Sequence, residues 1–273
     1  MGKIKNKTLI KIAGIEISHP EKVLFPSLQI TKLEVVKYYE SVADRMLPFM
    51  KNRVITINRF PDGIKSQGFY QKKAADYYPE FIKTISVKTE EGINKQFICN
   101  DKKSLLYLVN QGTIGFHIWL SKIDKLDKPD KVVFDLDPSD FNFENVKRGA
   151  TIVAEFLRNK HIEPKLMTTG QNGLHVWYKI RRTKTYEELR PELKIMAEQL
   201  EYENPNLFTT SLRKNKREGK IFIDYLRNAY AQTSVCPYSL RPNKQAGIAM
   251  PLEWKVLNSI KKSSEFNYKN QSF

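Results

Sequence analysis

The chain has 273 residues, 41% of them hydrophobic and 11% aromatic, which sustains a sizeable core and excludes global disorder. Lys and Arg number 46 against 30 acidic residues, a formal charge of +16 that favours a polyanionic partner, nucleic acid before membrane. Two distant cysteines, Cys99 and Cys236, and four scattered histidines exclude a disulfide scaffold and a His-rich zinc site, and no apolar run is long enough to span a bilayer. The lysine-bearing N-terminus lacks a following signal-type apolar stretch, so a cytoplasmic protein with buried, reduced thiols is expected.

Residues 8 to 17 alternate and are expected to form an edge strand or hairpin. A proline-bounded segment follows, Ser18-His19-Pro20-Glu21-Lys22-Val23-Leu24-Phe25-Pro26. Thr31-Lys32-Leu33-Glu34 is a capping box, and Leu33, Val36, Tyr39, Val42, Ala43 and Met46 follow at helical spacing, so a helix is expected from Thr31 to no further than Pro48. Lys22 and Lys32 near its start are either solvated surface lysines or a pair that holds a phosphate. Residues 53 to 59 read as a strand. The turn Pro61-Asp62-Gly63 leads to Gly68-Phe69-Tyr70-Gln71-Lys72-Lys73, where two aromatics and two lysines suit a base-stacking platform beside phosphate contacts. On pattern alone a core position for the rings is the commoner outcome. Two strands around Glu91-Gly92, a short helix at 104–110 and a strand at 113–119 follow. His117 lies among apolar neighbours in that strand, where a satisfied core group is commoner than a ligand.

Residues 131 to 139, Lys-Val-Val-Phe-Asp-Leu-Asp-Pro-Ser, read as a buried strand bounded by Pro138. Alternation points Val133, Asp135 and Asp137 the same way. Two carboxylates on one face repel unless a cation or protons intervene; a hard divalent ion and a solvated acidic corner are both open. A helix marked by Val146, Ala150, Val153 and Leu157 comes next, then a strand, a turn at Gly170 to Gly173 and a strand from Leu174. That turn is either a phosphate-approaching loop or an ordinary hairpin turn. Thr185 and Glu188 cap another helix. The basic loop 213–220 runs into the apolar strand 221–226, whose Asp224 calls for a partner. The polar last ten residues are expected to fray. Strands alternate with a few helices, so the fold class is mixed α/β (α+β) in one unit spanning 1–273, with sheets that need not be parallel.

The ordered set His19-Pro-Glu-Lys-Val-Leu-Phe-Pro26, Phe69-Tyr70-Gln-Lys72, His117-x-Trp119, Phe134-Asp-Leu-Asp-Pro138, Gly170-x-x-Gly173-Leu-His175, Ile221-Phe-Ile-Asp-Tyr225-Leu-Arg-Asn228 and Pro237-Tyr-Ser-Leu-Arg241 resembles the polymerase domain of ligase D, in the archaeo-eukaryotic primase superfamily. The resemblance covers residues 15 to about 255. It implies mixed β-sheets forming a catalytic cleft flanked by helices, with DNA-end-binding elements within 15–75 and catalytic motifs within 131–241. It further implies a template-directed nucleotidyltransferase that fills gaps at broken DNA ends in non-homologous end joining and prefers ribonucleotides. Asp135, Asp137 and Asp224 would hold two divalent ions, Mn²⁺ or Mg²⁺. His117, Thr169, Asn172, His175, Arg217 and Arg241 would contact the nucleoside triphosphate. His19, Lys22 and Lys32 would take the 5′-phosphate at a gap or double-strand break, and Arg59, Phe69, Tyr70 and Lys72 would contact DNA. A DNA ligase and a Ku-type end-binding protein are the implied partners, and the implied location is cytoplasmic, at the nucleoid.

Three positions depart from the family pattern: Asn172 in place of Lys, Asn58 in place of a basic residue with Arg59 beside it, and His19 in place of Asn. The chain's start and tail suggest a stand-alone polymerase rather than an excised domain. Two other readings stand beside this one. A phosphotransferase with an Asp-x-Asp nucleophile would normally follow the second Asp with Gly-Thr rather than Pro138-Ser139. A non-catalytic DNA-end binder would use the same charge, lysines and aromatics.

Overall fold

A computed structural model of the protein describes residues 9–89, 92–140 and 142–270. Two six-stranded sheets carry the architecture. The first runs Thr233–Val235, Thr113–Trp119, Val54–Arg59, Gly92–Ile98 and Thr84–Thr89, with Phe69–Gln71 paired to the end of Val54–Arg59. The second runs Phe208–Thr209, Ile221–Asp224, Lys131–Asp137, Leu174–Lys179, Lys165–Thr168 and Pro251–Leu252. The Phe208–Thr209 and Ile221–Asp224 strands pair in parallel. The other ladders of the two sheets are antiparallel among the described residues, as short connections allow.

Helices Lys32–Met50 and Lys102–Asn110 cover one face of the first sheet, where Val36, Tyr39, Met46, Leu105, Phe97 and Phe116 share a core. Helices Phe143–Asn159 and Tyr186–Glu203 cover one face of the second, over Phe134, Leu136, Val153, Leu193 and Phe208. The two remaining faces meet through small apolar clusters, Leu120 with Val133 and Met167 with Val235. Between these clusters the cleft is polar.

Both expected capping boxes form. The Thr31 hydroxyl accepts from the Glu34 N–H while the Glu34 carboxylate accepts from the Thr31 N–H, and Thr185 and Glu188 repeat the arrangement. The first helix, however, runs past Pro48 to Met50. The N–H that Pro48 lacks would have served the carbonyl of Asp44, which sits on an exposed turn one step from the helix end, so solvent replaces it at small cost. The 8–17 hairpin reduces to Lys11–Ile12 and Ile15–Glu16, and the Asp224 strand ends at Asp224 rather than 226. The tip expected at Glu91 lies outside the described residues.

The tail does not fray over its described part. Ile248 donates its N–H to Phe266, Tyr268 donates its own to Ala246, and both rings pack on the first core. Two aromatic anchors inside a polar stretch override its composition.

Candidate active site

Strand alternation sends Val132, Phe134 and Leu136 into the helix-covered core and Val133, Asp135 and Asp137 into the cleft. Asp135 lies on a central strand, so it has a neighbour on each side. Its register partner is His175 on one strand and Asp224 on the other. His175 Nε2 stands 3.3 Å from Asp135 Oδ1, and His175 Nδ1 stands 3.4 Å from Ser234 Oγ on the opposing sheet. His175 thus links the two sheets across the cleft. Asp135 Oδ1 is buried and has no partner in hydrogen-bond geometry.

Arg227 sits at the acidic cluster, its Nε 3.0 Å from Asp224 Oδ2 and 3.7 Å from Asp135 Oδ2. Among the described residues no group of three or more His, Cys, Asp or Glu side chains stands ready-made for a metal. The Arg227 guanidinium supplies the positive charge between these carboxylates instead. Burial pushes the Asp135 carboxyl up, but His175 and Arg227 outweigh it and hold the group below the usual carboxylate range. Burial, with Asp135 adding, pushes Asp137 up to about 6. Burial also raises Asp224 against the pull of Arg227. Three carboxylates thus share one face with Arg227 and His175, and hard oxygen donors grouped in this way could hold a divalent cation.

The Asp224–Arg227 corner is held by one buried amide. The Asn228 Oδ1 accepts from the Val133 N–H at 2.9 Å, and its Nδ2 donates to the carbonyls of Val133 at 2.7 Å and Tyr225 at 2.8 Å. The side chain continues the ladder beside Lys131–Asp137 after the Asp224 strand has stopped.

A cavity of about 520 Å³ opens over Asp135 and Asp137. Its walls carry Lys72, Arg227 and Arg241 for anions, and Tyr70, His117, Thr169, Gln171, Asn172 and His175. The turn between the hairpin strands depends on its glycines. Gly170 has φ +70°, and a Cβ there would come 2.7 Å from the Ile248 carbonyl carbon. A Cβ on Gly173 would come 2.4 Å from the Leu136 oxygen, so only glycine lets the turn lie against the Asp137 strand. The Thr169 hydroxyl accepts from the Gln171 and Gly173 N–H groups and donates to the Gly173 carbonyl, so the turn's own backbone takes it up. Arg241 donates to Gln171 Oε1 at 2.8 Å. His117 is half-buried; burial and the nearby Arg241 and Arg227 push its pKa well down, so the ring is neutral.

The remaining expected residues fall into two groups. Phe69 and Tyr70 are 47% and 59% exposed, which overturns the core expectation drawn from pattern alone. Tyr70 meets His117 edge-on over the cavity. Phe69 turns the other way, beneath the Arg59 guanidinium. Arg59 donates to the Gln111 carbonyl and Gln71 Oε1, away from the cavity, because neighbouring strand residues face opposite sides; it does not make up for the charge missing at Asn58. His19, Lys22 and Lys32 gather at the start of the first helix. Lys32 is 6% exposed, donates to Ser18 Oγ at 2.8 Å, and is lowered to about 8 by burial and by Lys22. Lys22 is paired with Asp62 at 2.6 Å. His19 has φ +47°, a left-handed conformation that His and Asn both enter more readily than most residues. Arg217 does not line the cavity: its guanidinium lies 3.9 Å over the Phe222 ring and donates to the carbonyls of Ser211 and Leu212.

Arg227, Asn228, Ser234, Gln171 and Thr56 complete the site without having been assigned roles from the sequence. Arg227 and Asn228 had a signal, since they close the Asp224 motif. Ser234 had little, because its strand is three residues long.

A family model described as the LigD primase-polymerase domain matches residues 31–272. The chain belongs to this family. LigD primase-polymerase domains are nucleotidyltransferases. The bifunctional non-homologous end joining protein LigD of Bacillus subtilis (strain 168) is 32% identical over 247 residues, covering 90% of this chain and 40% of that protein. The multifunctional LigD of Pseudomonas aeruginosa is 28% identical over 259 residues, 94% of this chain and 31% of the relative. The chain therefore spans only about a third of the length of these relatives. The polymerase domain of Mycobacterium tuberculosis ligase D, solved in complex with DNA, has the same fold: TM-score 0.87 at 24% identity, covering 93% of this chain and 92% of that one. Among the described residues no helix is long and apolar enough to cross a membrane.

Proposed function

We propose that this LigD-type domain adds nucleotides to a primer 3′ end, directed by a template, at gaps and broken ends of DNA. The observation that carries the reading is the register of Asp135 between Asp224 and His175, with Asp137 on the same face, under a cavity walled by Lys72, Arg227 and Arg241. Asp135, Asp137 and Asp224 would hold two divalent ions, Mn²⁺ or Mg²⁺, once Arg227 turns outward; that side chain is 42% exposed and has room to do so. Bound there, such ions supply the charge that activates the 3′-hydroxyl and steadies the leaving pyrophosphate. Arg241 and Lys72 bind the triphosphate, and neutral His117 faces the sugar, where ribose would be preferred. His175 stands between Asp135 and Ser234, so it couples the carboxylate to the opposing sheet.

Lys22 and Lys32 form the second anion site, for the 5′-phosphate across the gap. A buried lysine with a single hydroxyl partner gains most from an incoming dianion. Phe69 and Tyr70, exposed between the two sites, stack on bases at the break. A ligase that seals the filled gap and a Ku-type end binder are the expected partners. Incubating a 5′-phosphorylated gapped duplex with Mn²⁺ and each nucleotide tests the reading, and primer extension is the expected result. Salt-sensitive binding to 5′-phosphate ends with no nucleotide-dependent tightening and no extension would favour a non-catalytic end binder.

A further inference from the structure

We propose that a second groove, beside the reaction cavity, takes one unpaired nucleobase of the bound strand, turned out of its stack, with the flanking phosphates on Lys72 and Lys73. The inference rests on the polymerase reading above and adds a site to it. The groove holds about 270 Å³ and is lined by Lys72, Lys73, Thr89, Asn94, Gln96 and Tyr230 among others. Lys72 lines both this groove and the reaction cavity, so the two meet at one cation. At about 30 Å³ per water the groove has room for roughly nine waters, enough for a flat heterocycle.

The groove's floor carries the decisive feature. Gln96 is 2% exposed, and its Oε1 has no hydrogen-bond partner. Thr56, also 2% exposed, has an unpartnered Oγ1 and lines the reaction cavity. The ladder between the two strands stops at Ile55 and Phe97; beyond it Gln96 pairs with Lys73, and Thr56 pairs with His117. Ile55 and Phe97 go into the helix-covered core, so by alternation Thr56 and Gln96 both lie on the cleft face, Thr56 at the reaction cavity and Gln96 at the groove. Folded proteins keep few buried polar atoms unpaired, and one at each of two cavities that share Lys72 asks for a ligand that pairs with it. A side-chain amide offers a donor and an acceptor side by side, which is the pattern of a base edge. None of the described residues that line the groove is acidic, and Lys73 lies against Gln96 through a β-bridge. Exposed Tyr70, two residues before Lys72, gives the neighbouring base a ring to stack on.

The test is a set of gapped duplexes with an abasic residue placed in turn at each template position around the gap. Binding is measured by fluorescence anisotropy for the wild-type chain and for Gln96→Leu. The expected result is one template position at which losing the base weakens wild-type binding about tenfold. At that position Gln96→Leu should lose about the same factor on the intact template and nothing further on the abasic one. Asn94→Ala, run through the same cycle, should behave in the same direction should Gln96→Leu fail to fold. Lys73→Ala should weaken all templates alike and lower the salt slope by about one. Wild-type extension of the intact gap is recorded alongside. If the wild type extends the primer but no position is base-sensitive, or if both amide variants keep the wild-type ratio of intact to abasic binding, the groove inference is overturned alone. If the wild type neither binds nor extends, the polymerase reading fails and the groove inference falls with it.

Discussion

Asn228→Ala should cost far more than an ordinary surface change. Asn228 is 2% exposed and makes three hydrogen bonds, from the Val133 N–H and to the carbonyls of Val133 and Tyr225. Alanine removes this partner from the Val133 N–H and carbonyl in a buried setting, while the Tyr225 carbonyl keeps the residue-228 N–H. At about 1 kcal/mol for each of the two, the low end for orphaned buried groups, the loss is about 2 kcal/mol. For a chain of this size that lowers the melting temperature by about 4–8 °C. Asn228→Asp should do no better, because it keeps an acceptor for the Val133 N–H but sets a carboxylate oxygen against two carbonyls. The corner carrying Asp224 and Arg227 depends on the same amide. Primer extension at 25 °C, well below the melting transition, should therefore fall by more than tenfold, while binding of a 5′-phosphorylated gap through Lys22 and Lys32 is kept. Thermal unfolding followed by circular dichroism, with extension assays beside it, checks both parts. A shift of less than about 2 °C would refute the idea that this side chain closes the sheet at its open end.

Other expected outcomes concern charge. Asp137, raised to about 6, binds its proton more readily in the folded than the unfolded chain, so its contribution to metal-free stability is complete at low pH and is lost as pH rises through about 6. Divalent Mn²⁺ should then raise the melting temperature clearly at pH 7.5 and little at pH 5; equal effects at both would mean the ion binds elsewhere. Lys22→Ala should weaken binding to 5′-phosphorylated gaps more than to unphosphorylated ones; equal losses on both would reduce Lys22 to part of the general basic field. Lys32 is lowered to about 8, so phosphate-specific affinity should drop as pH rises through that value, as seen by anisotropy between pH 7 and 9.5, and Lys32→Arg should remove the drop.

Much of this site was legible in the chain because its signals are local. Asp135 and Asp137 alternate with Phe134 and Leu136, so the strand's two faces could be told apart before any coordinates. The capping boxes at Thr31 and Thr185 need only four residues each. What local pattern cannot hold is a partner from far along the chain. Ser234 meets His175 across the cleft from a three-residue strand that no periodicity marks. Asn228 closes the Asp224 motif, but its partner Val133 lies 95 residues away and no local pattern points to it. The rings of Phe69 and Tyr70 suited a core as well as a surface, and only the family resemblance favoured exposure. Arg217 fits a triphosphate contact by motif position, yet its guanidinium stacks on Phe222 outside the cavity. The tail was misjudged because Phe266 and Tyr268, two rings among polar residues, were enough to tie it down.

The three carboxylates are the centre of the account, and one comparison tests them most directly. A 5′-phosphorylated gapped duplex is incubated with Mn²⁺ and each nucleotide, using the wild-type chain and the double variant Asp135→Ala, Asp137→Ala. The account predicts template-directed extension by the wild type and none by the variant, with the variant still binding the gap through Lys22 and Lys32. Full extension by the variant, or none by the wild type, would contradict it.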